Sequence, residues 1–300
     1  MENIKNIDTL LFSGGAMKCI CILGVVKYLF KKDIIKPNFE GITDIYFVSG
    51  SSIYITPLLI GFTLDCTINL FKKIDYNEIY ENSKDMKIQN LFDNFGLKDI
   101  KDFKYIMHAV LRAKGIDVNI TLKEFYERTK KNIHFRVINI NKEKTEYLNK
   151  DNSPDLKYTD AICMTSCIPI LFEPIEYNGC KYIDGGVNNN FPYEIISKNK
   201  NYLGINIIAS KISMINETDI TKDIHKLSDY LYLLYNVYGT PPIEVPSIRH
   251  IKILIDGTGV NFERFSSIID ETLLLGYNTA DKHFSNFQKH SDSSPEENED

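Results

Sequence analysis

The 300-residue chain lacks a surplus of basic residues, a nucleotide-binding glycine loop, paired metal-ligand cysteines and an uninterrupted membrane-length apolar run. Each absence removes a class of function. Lysine and arginine number 35 against 40 acids, for a formal net charge of -5, and lysines alternate with acids throughout. No basic stripe is present for nucleic acid, and strong attraction to anionic membranes is not expected. Neither G-x-x-x-x-G-K-[ST] nor G-x-G-x-x-G matches, which argues against a nucleotide cradle. Six cysteines, at 19, 21, 66, 163, 167 and 180, sit mostly inside apolar runs. They lack the paired C-x2-C or histidine spacing of a zinc site, so they read as reduced, buried thiols of an intracellular protein, with Cys163 and Cys167 on one helix. The polar start from Met1 to Asp8 predicts no secretory leader, hence a cytoplasmic protein with at most peripheral membrane contact. One uncharged stretch, Ile45 to Leu64, approaches the length of a span. Ser49-Gly50-Ser51-Ser52 and Pro57 interrupt it, so a strand, a sharp turn and a buried helix explain it better.

What is present is a core-forming chain, 43% hydrophobic. Strand-like runs at Leu10 to Ser13, Ile45 to Ser49, Ile133 to Ile140, Leu203 to Ala209 and Ile251 to Ile255 alternate with helical stretches. This pattern predicts an α/β fold with a mostly parallel central sheet covered on both faces. Leu97 to Ala113 carries apolar residues at three- and four-residue spacing and reads as one amphipathic helix. Thr121 and Glu124 form a capping box for the next helix, and Asn178-Gly179 a hairpin turn. The helical residues between 75 and 120 read either as core packing or as a lid. Residues 7–209 are expected to form a catalytic core, 210–288 a helical and strand extension packing on the same domain, and 289–300 a disordered acidic tail.

Three segments carry chemistry. Leu10 to Lys18 is a strand, a glycine turn at Ser13-Gly14-Gly15 and the start of an apolar helix, so its backbone N–H groups can converge on an anion. Ile45-Tyr46-Phe47-Val48 runs into Ser49-Gly50-Ser51-Ser52-Ile53, which reads as a strand, a turn and a helix from about Ile53, with Ser52 at the helix start. Tyr182-Ile183-Asp184-Gly185-Gly186 places an aspartate before two glycines. A serine hydroxyl needs a proton acceptor and oxyanion donors to act as a nucleophile, and an aspartate serves as that acceptor best when burial raises its proton affinity.

In this order, together with Thr165-Ser166-Cys167-Ile168-Pro169 and the block from Tyr182 to Pro192, the segments resemble the patatin-like phospholipase family from about Thr9 to Pro192. The resemblance implies a three-layer α/β/α sandwich and a lipid acyl hydrolase, of phospholipase A or lysophospholipase type, acting in lipid catabolism. It implies a Ser-Asp dyad of Ser52 as nucleophile and Asp184 as proton acceptor. An oxyanion hole around Gly14, Gly15 and Ala16, helped by Lys18, would complete the site, with Gly50, Gly185 and Gly186 as supporting motif positions. No metal or organic cofactor is expected, and the partners are a lipid or phospholipid substrate and a transient membrane surface, not nucleic acid, with protein partners left open. Ala16, Cys19 and Tyr54 stand where the family has glycines, which raises the alternative of a fold-retaining lipid-binding or scaffolding protein. A Ser-His-Asp triad would need one of His225, His250, His283 or His290, each of which reads more simply as a structural or solvated residue.

Overall fold

Apolar β-branched and aromatic runs build one sheet in the computed structural model, which describes residues 6–76, 88–196, 201–209, 247–255 and 265–291. The first half of the chain contributes β1 (Thr9–Phe12), a 3-10 turn (Ala16–Cys19), α1 (Ile20–Lys31), β2 (Asp44–Val48), α2 (Ser51–Leu59), α3 (Leu64–Lys72), α4 (Ile88–Asn94), β3 (Gly96–Lys98), α5 (Lys101–Arg112) and α6 (Leu122–Thr129). There follow β4 (Asn132–Asn139), β5 (Lys144–Leu148), α7 (Tyr158–Thr165), β6 (Ile170–Phe172), β7 (Ile175–Tyr177), β8 (Cys180–Asp184), α8 (Tyr193–Ile196), β9 (Tyr202–Ala209), β10 (His250–Ile255) and α9 (Phe265–Ser291). The main sheet runs β10-β9-β1-β2-β4-β8-β7, with β5 on β4, and β3 pairs with β6 in a separate ribbon. Strands β10, β9, β1, β2 and β4 are mutually parallel, whereas β5, β8 and β7 join antiparallel. The fold is therefore α/β with a mostly parallel central sheet and helices on both sides.

Side chains alternate across this sheet as the two-residue period requires. Leu10, Phe12, Ile45 and Phe47 enter a large core with α1, α2, α5, α7 and α9. Leu11 and Tyr46 face the other way, against Phe191, Tyr193 and Ile195. Each fully buried Leu, Ile or Phe contributes about 1.5–3 kcal/mol of transfer free energy, so the larger face dominates stability.

The register of β4 positions the site. β2 pairs with β4 up to Val48 opposite Arg136, and β8 pairs with β4 from Tyr182 opposite Asn139 down to Asp184 opposite Val137. β5 pairs with Phe135 through Asn139, overlapping both partners, so β2 and β8 must share the opposite edge of β4. The C-terminal ends of β2 and β8 therefore meet head to head.

Some expected element boundaries lie elsewhere in the structure. Leu97 belongs to β3, because β6 offers it a parallel partner strand, and the amphipathic helix starts only at Lys101. α5 buries Met107, Val110 and Leu111 and so packs into the core. α7 ends at Thr165, leaving Cys167 beyond it, and α2 begins at Ser51, ahead of Ile53. The capping box at Thr121 and Glu124 is formed, and Asn178 and Gly179 both take the positive φ of a tight hairpin turn. Residues 45–64 divide into β2, the turn, α2 and the start of α3. Among the described residues no helix is long and apolar enough to cross a membrane. Helix α9 runs to Ser291, past the expected start of the tail; residues 292–300, 77–87 and most of the expected extension between 210 and 246, including His225, lie outside the described residues.

Helices α1 and α9 pack backbone to backbone. A β-carbon built on Gly24 would overlap the Leu273 carbonyl, and one on Gly276 would overlap the Cys21 carbonyl. Tyr28 stacks on Phe284 at 5.7 Å beside this contact. Gly276→Ala is expected to lower unfolding free energy by about 1–3 kcal/mol through overpacking, measured by urea denaturation, whereas an unchanged midpoint would mean that the helices separate freely.

Candidate active site

The turn after β2 is built from small residues. Ser49 takes φ 55, a left-handed conformation that costs a residue with a β-carbon roughly 1–2 kcal/mol. Gly50 follows because a β-carbon there would lie 2.6 Å from the Ala16 carbonyl oxygen. The bent backbone is held by side chains: Ser51 Oγ donates to the Val48 carbonyl at 2.8 Å, and Ser49 N–H donates to Thr165 Oγ1 at 2.9 Å. Thr165 Oγ1 in turn donates to the Arg136 carbonyl at 2.6 Å, tying the turn to β4.

Ser49 is the serine that meets the aspartate. Its Oγ donates to Asp184 Oδ2 at 2.5 Å. The pairing expected between Ser52 and Asp184 is thus displaced to Ser49, three residues earlier. Because the helix starts at Ser51, Ser52 is already inside its first turn, fully buried, and its Oγ donates to the Ser49 carbonyl at 2.8 Å. The sharp turn falls on Ser49, which follows the last residue of β2, and that residue is the one presented to the end of β8.

Asp184 is 4% exposed. Its Oδ1 accepts the Gly186 N–H at 2.6 Å, and its own N–H donates to the Cys167 carbonyl at 2.9 Å. Burial pushes its carboxyl up to about 6, against the opposing pull of the Ser49 and Gly186 hydrogen bonds and the Arg136 charge. Gly185 passes so close to β4 that a β-carbon would overlap the Arg136 carbonyl. Arg136 secures the loop beyond: its Nη1 donates to the Gly185 carbonyl, to Asn188 Oδ1 at 2.9 Å and to the Asn189 carbonyl at 2.9 Å. Its Nε donates to Glu194 Oε1 at 3.0 Å, and Tyr147 Oη donates to the same oxygen at 2.8 Å.

The first glycine turn abuts the Ser49 turn. A β-carbon on Gly14 would come 3.0 Å from Ser49 Cβ. Gly14 and Asn190 bond reciprocally, Gly14 N–H to the Asn190 carbonyl and Asn190 Nδ2 to the Gly14 carbonyl, both at 3.0 Å. The expected oxyanion donor at Gly14 is therefore committed elsewhere. The N–H groups of Gly15, Ala16 and Gly50 have no acceptor among the described residues. Ala16 itself sits at φ 47, a left-handed position that glycine would occupy without strain. Lys18 is half-buried in the 3-10 turn, Cys19 is buried with Sγ 3.9 Å from the Ser13 carbonyl, and Tyr54 packs in the core on Phe71 at 4.5 Å.

Among the described residues no imidazole bonds Ser49 or Asp184. His250 stacks on Phe191 at 4.8 Å, His283 Nε2 bonds the Ile248 carbonyl at 2.9 Å, and the side chain of His290 lies outside the described residues. No group of three or more His, Cys, Asp or Glu is placed to hold a metal among the described residues. Sequence reasoning missed Ser49, Thr165, Arg136 and Asn190. Only Ser49 carried a usable signal, as the first residue after an apolar strand with a glycine behind it.

The chain belongs to the patatin-like phospholipase family, whose model matches residues 10–196. A probable lipid hydrolase of Invertebrate iridescent virus 6 is 32% identical over 203 residues, covering 66% of this chain and 66% of the relative. An uncharacterised protein of Acanthamoeba polyphaga mimivirus is 27% identical over 188 residues, covering 63% of this chain and 61% of the relative. The chain thus aligns with slightly less than two thirds of the length of either relative. In fold it is similar to VipD from Legionella pneumophila, with TM-score 0.57 and 16% identity over 94% of this chain and 67% of that one. It is also similar to the heterodimeric ExoU-SpcU complex from the type III secretion system of Pseudomonas aeruginosa, with TM-score 0.50 and 13% identity over 94% of this chain and 52% of that one.

Because Asp184 holds its proton more tightly folded than unfolded, the folded state binds more protons between about pH 4 and 6, and stability falls as pH rises through that window. Asp184→Asn, which keeps the shape without the buried charge, is expected to raise unfolding free energy at pH 8 by an amount on the order of 3 kcal/mol. The gain should vanish below about pH 4. Denaturant unfolding of both proteins across pH checks this, and a variant less stable than the parent at pH 8 would contradict it.

Proposed function

We propose that the protein is a serine lipid acyl hydrolase that works through a Ser49–Asp184 dyad. The observation that carries the reading is the 2.5 Å hydrogen bond from Ser49 Oγ to Asp184 Oδ2 in a buried setting. Ser49 Oγ attacks the carbonyl carbon of a lipid ester while its proton passes to Asp184. The carbonyl oxygen takes the negative charge and is held by the open N–H groups of Gly15, Ala16 and Gly50. Collapse of the tetrahedral species expels the alcohol, which receives the proton from Asp184, and leaves the acyl group on Ser49. Water then attacks the acyl-enzyme, losing a proton to Asp184, and releases the fatty acid with the Ser49 hydroxyl restored.

Asp184 suits this work because its proton affinity is raised toward neutrality, which improves it as a base without a histidine. Thr165 and Arg136 act as positioning residues, the first holding the Ser49 backbone and the second the loop after Asp184. A phospholipid cleaved by phospholipase A or lysophospholipase chemistry is the substrate class in keeping with the family, met at a membrane surface by a cytoplasmic protein. The competing reading of a catalytically impaired scaffold rested on Ala16, Cys19 and Tyr54. The Cys19 and Tyr54 side chains are buried, and Ala16 keeps its N–H open, so none of the three obstructs the dyad.

Ser49→Ala is expected to lower kcat by at least about a thousandfold on a phospholipid or short-chain ester, while Ser52→Ala retains activity within about tenfold. Since Asp184 must be ionised to accept the proton, kcat/KM should rise with pH and level off above about 6. Loss of activity confined to the Ser52 variant, or a flat profile through pH 6, would contradict the assignment.

A further inference from the structure

Helix α4 leaves large apolar side chains in water while its polar residues bond nearby groups. Asn90 Nδ2 donates to the Leu97 carbonyl at 3.5 Å, Asn94 Nδ2 donates to Glu173 Oε1 at 3.2 Å, and Gln89 bonds Asp93 one turn on at 3.1 Å. These bonds tie the polar residues to the flank of the β3–β6 ribbon or to one another, and of the four only Asn90 is half-buried. Ile88 and Phe92 lie one turn apart on one helical face, Phe95 directly follows the helix end, and the three are 70%, 73% and 58% exposed. Ile170, at the position paired with Gly96 in the β3–β6 ribbon, adds a fourth exposed apolar side chain. An apolar stripe turned outward on a helix that buries none of its residues does not serve folding.

Backbone conformation supports the same conclusion. Phe95 has φ 64 and Ile170 φ 70. Left-handed backbone is disfavoured for any residue with a β-carbon and is a genuine outlier for a β-branched one. Glycine or asparagine would relieve both positions and remove apolar surface from water, yet the chain keeps a phenylalanine and an isoleucine there. Strain and exposure at the same two residues are accounted for when those side chains leave water during the protein's work.

A short stretch of backbone links the apolar patch to the dyad. The Cys167 carbonyl accepts the Asp184 N–H, and Ile170 lies three residues further on, at most about 11 Å away. Among the described residues the bordering lysines are each paired: Lys98 with Asp102 at 3.2 Å, Lys101 with Asp99, and Lys181 with Glu176 at 3.6 Å. A surround of matched charges fits an electrically neutral, zwitterionic surface, because an anionic one would select unpaired cations.

We propose that Ile88, Phe92, Phe95 and Ile170 form the face by which the protein docks on a zwitterionic phospholipid surface and collects its substrate. The delivery of substrate rests on the Ser49–Asp184 reading; the docking does not. The test is flotation of the purified full chain with phosphatidylcholine vesicles at low and high salt. The parent and Ser49→Ala should both float, with little dependence on salt. The double variant Phe92→Ser with Phe95→Asn should lose about a hundredfold in partitioning, about tenfold per ring withdrawn from the apolar phase. That double variant should lose vesicle-lipid hydrolysis in parallel while keeping its rate on a soluble short-chain ester. Phe95→Asn and Ile170→Asn, each relieved of strain, should melt higher than the parent. The proposal is overturned if the double variant floats like the parent, or if salt abolishes flotation. It is equally overturned if soluble-ester activity falls as far as vesicle activity, or if the parent proves to be a dimer that the double variant dissociates. Flotation of an inert Ser49→Ala protein beside a Ser52→Ala protein that keeps its activity within about tenfold supports both readings; flotation with Ser49→Ala still active would sink the dyad alone.

Discussion

A carboxylate taken out of water with no cation touching it is costly, and the arrangement around Asp184 is organised by that cost. Two hydrogen bonds reach it among the described residues, from the Ser49 hydroxyl and the Gly186 amide, while Arg136 acts through its field from the neighbouring strand. Had the guanidinium bonded the carboxylate directly, the aspartate would be a stable anion and a feeble base. Arg136 instead spends its donors on the Gly185 and Asn189 carbonyls, Asn188 and Glu194, which fixes the loop and leaves the aspartate wanting a proton.

The meeting of Ser49 and Asp184 is a property of sheet topology before it is one of side chains. β2 and β8 approach each other along one edge of β4 from opposite directions, and each ends where the other does. Residues far apart in the chain are thereby set one register position apart. Small residues do the remainder: Gly14, Gly50 and Gly185 let three backbones converge, and Thr165 absorbs the Ser49 amide that the bend would otherwise orphan.

Much of this was legible in the sequence, for reasons tied to particular residues. The parallel strands announced themselves by apolar runs, the Thr121–Glu124 capping box by its spacing, and the Asn178-Gly179 turn by its demand for positive φ. The burial of Asp184 was legible because the glycines after it let the backbone pass close to its neighbours. The contact of Ser49 with Asp184 was not legible, because the letters Gly50-x-Ser52 point to the later serine; only the helix start at Ser51 decides that Ser52 is interior. Arg136, one polar residue among several in its strand, and Asn190, one asparagine among three, owe their importance to contacts across more than 50 residues, which no local pattern encodes. The exposure of Ile88 and Phe92 on α4 was hidden for a related reason: periodicity reveals that a helix has two faces and is silent on which one the protein covers.

The account of the site turns on one hydroxyl being polarised by one carboxylate, and this predicts which serine is chemically distinct. Reaction of the folded protein with a fluorophosphonate, followed by mass-spectrometric mapping of the adduct, tests it most directly. The adduct is expected on Ser49, with labelling lost in Asp184→Asn and kept in Ser52→Ala. An adduct on Ser52, or labelling of Ser49 indifferent to Asp184, would contradict it.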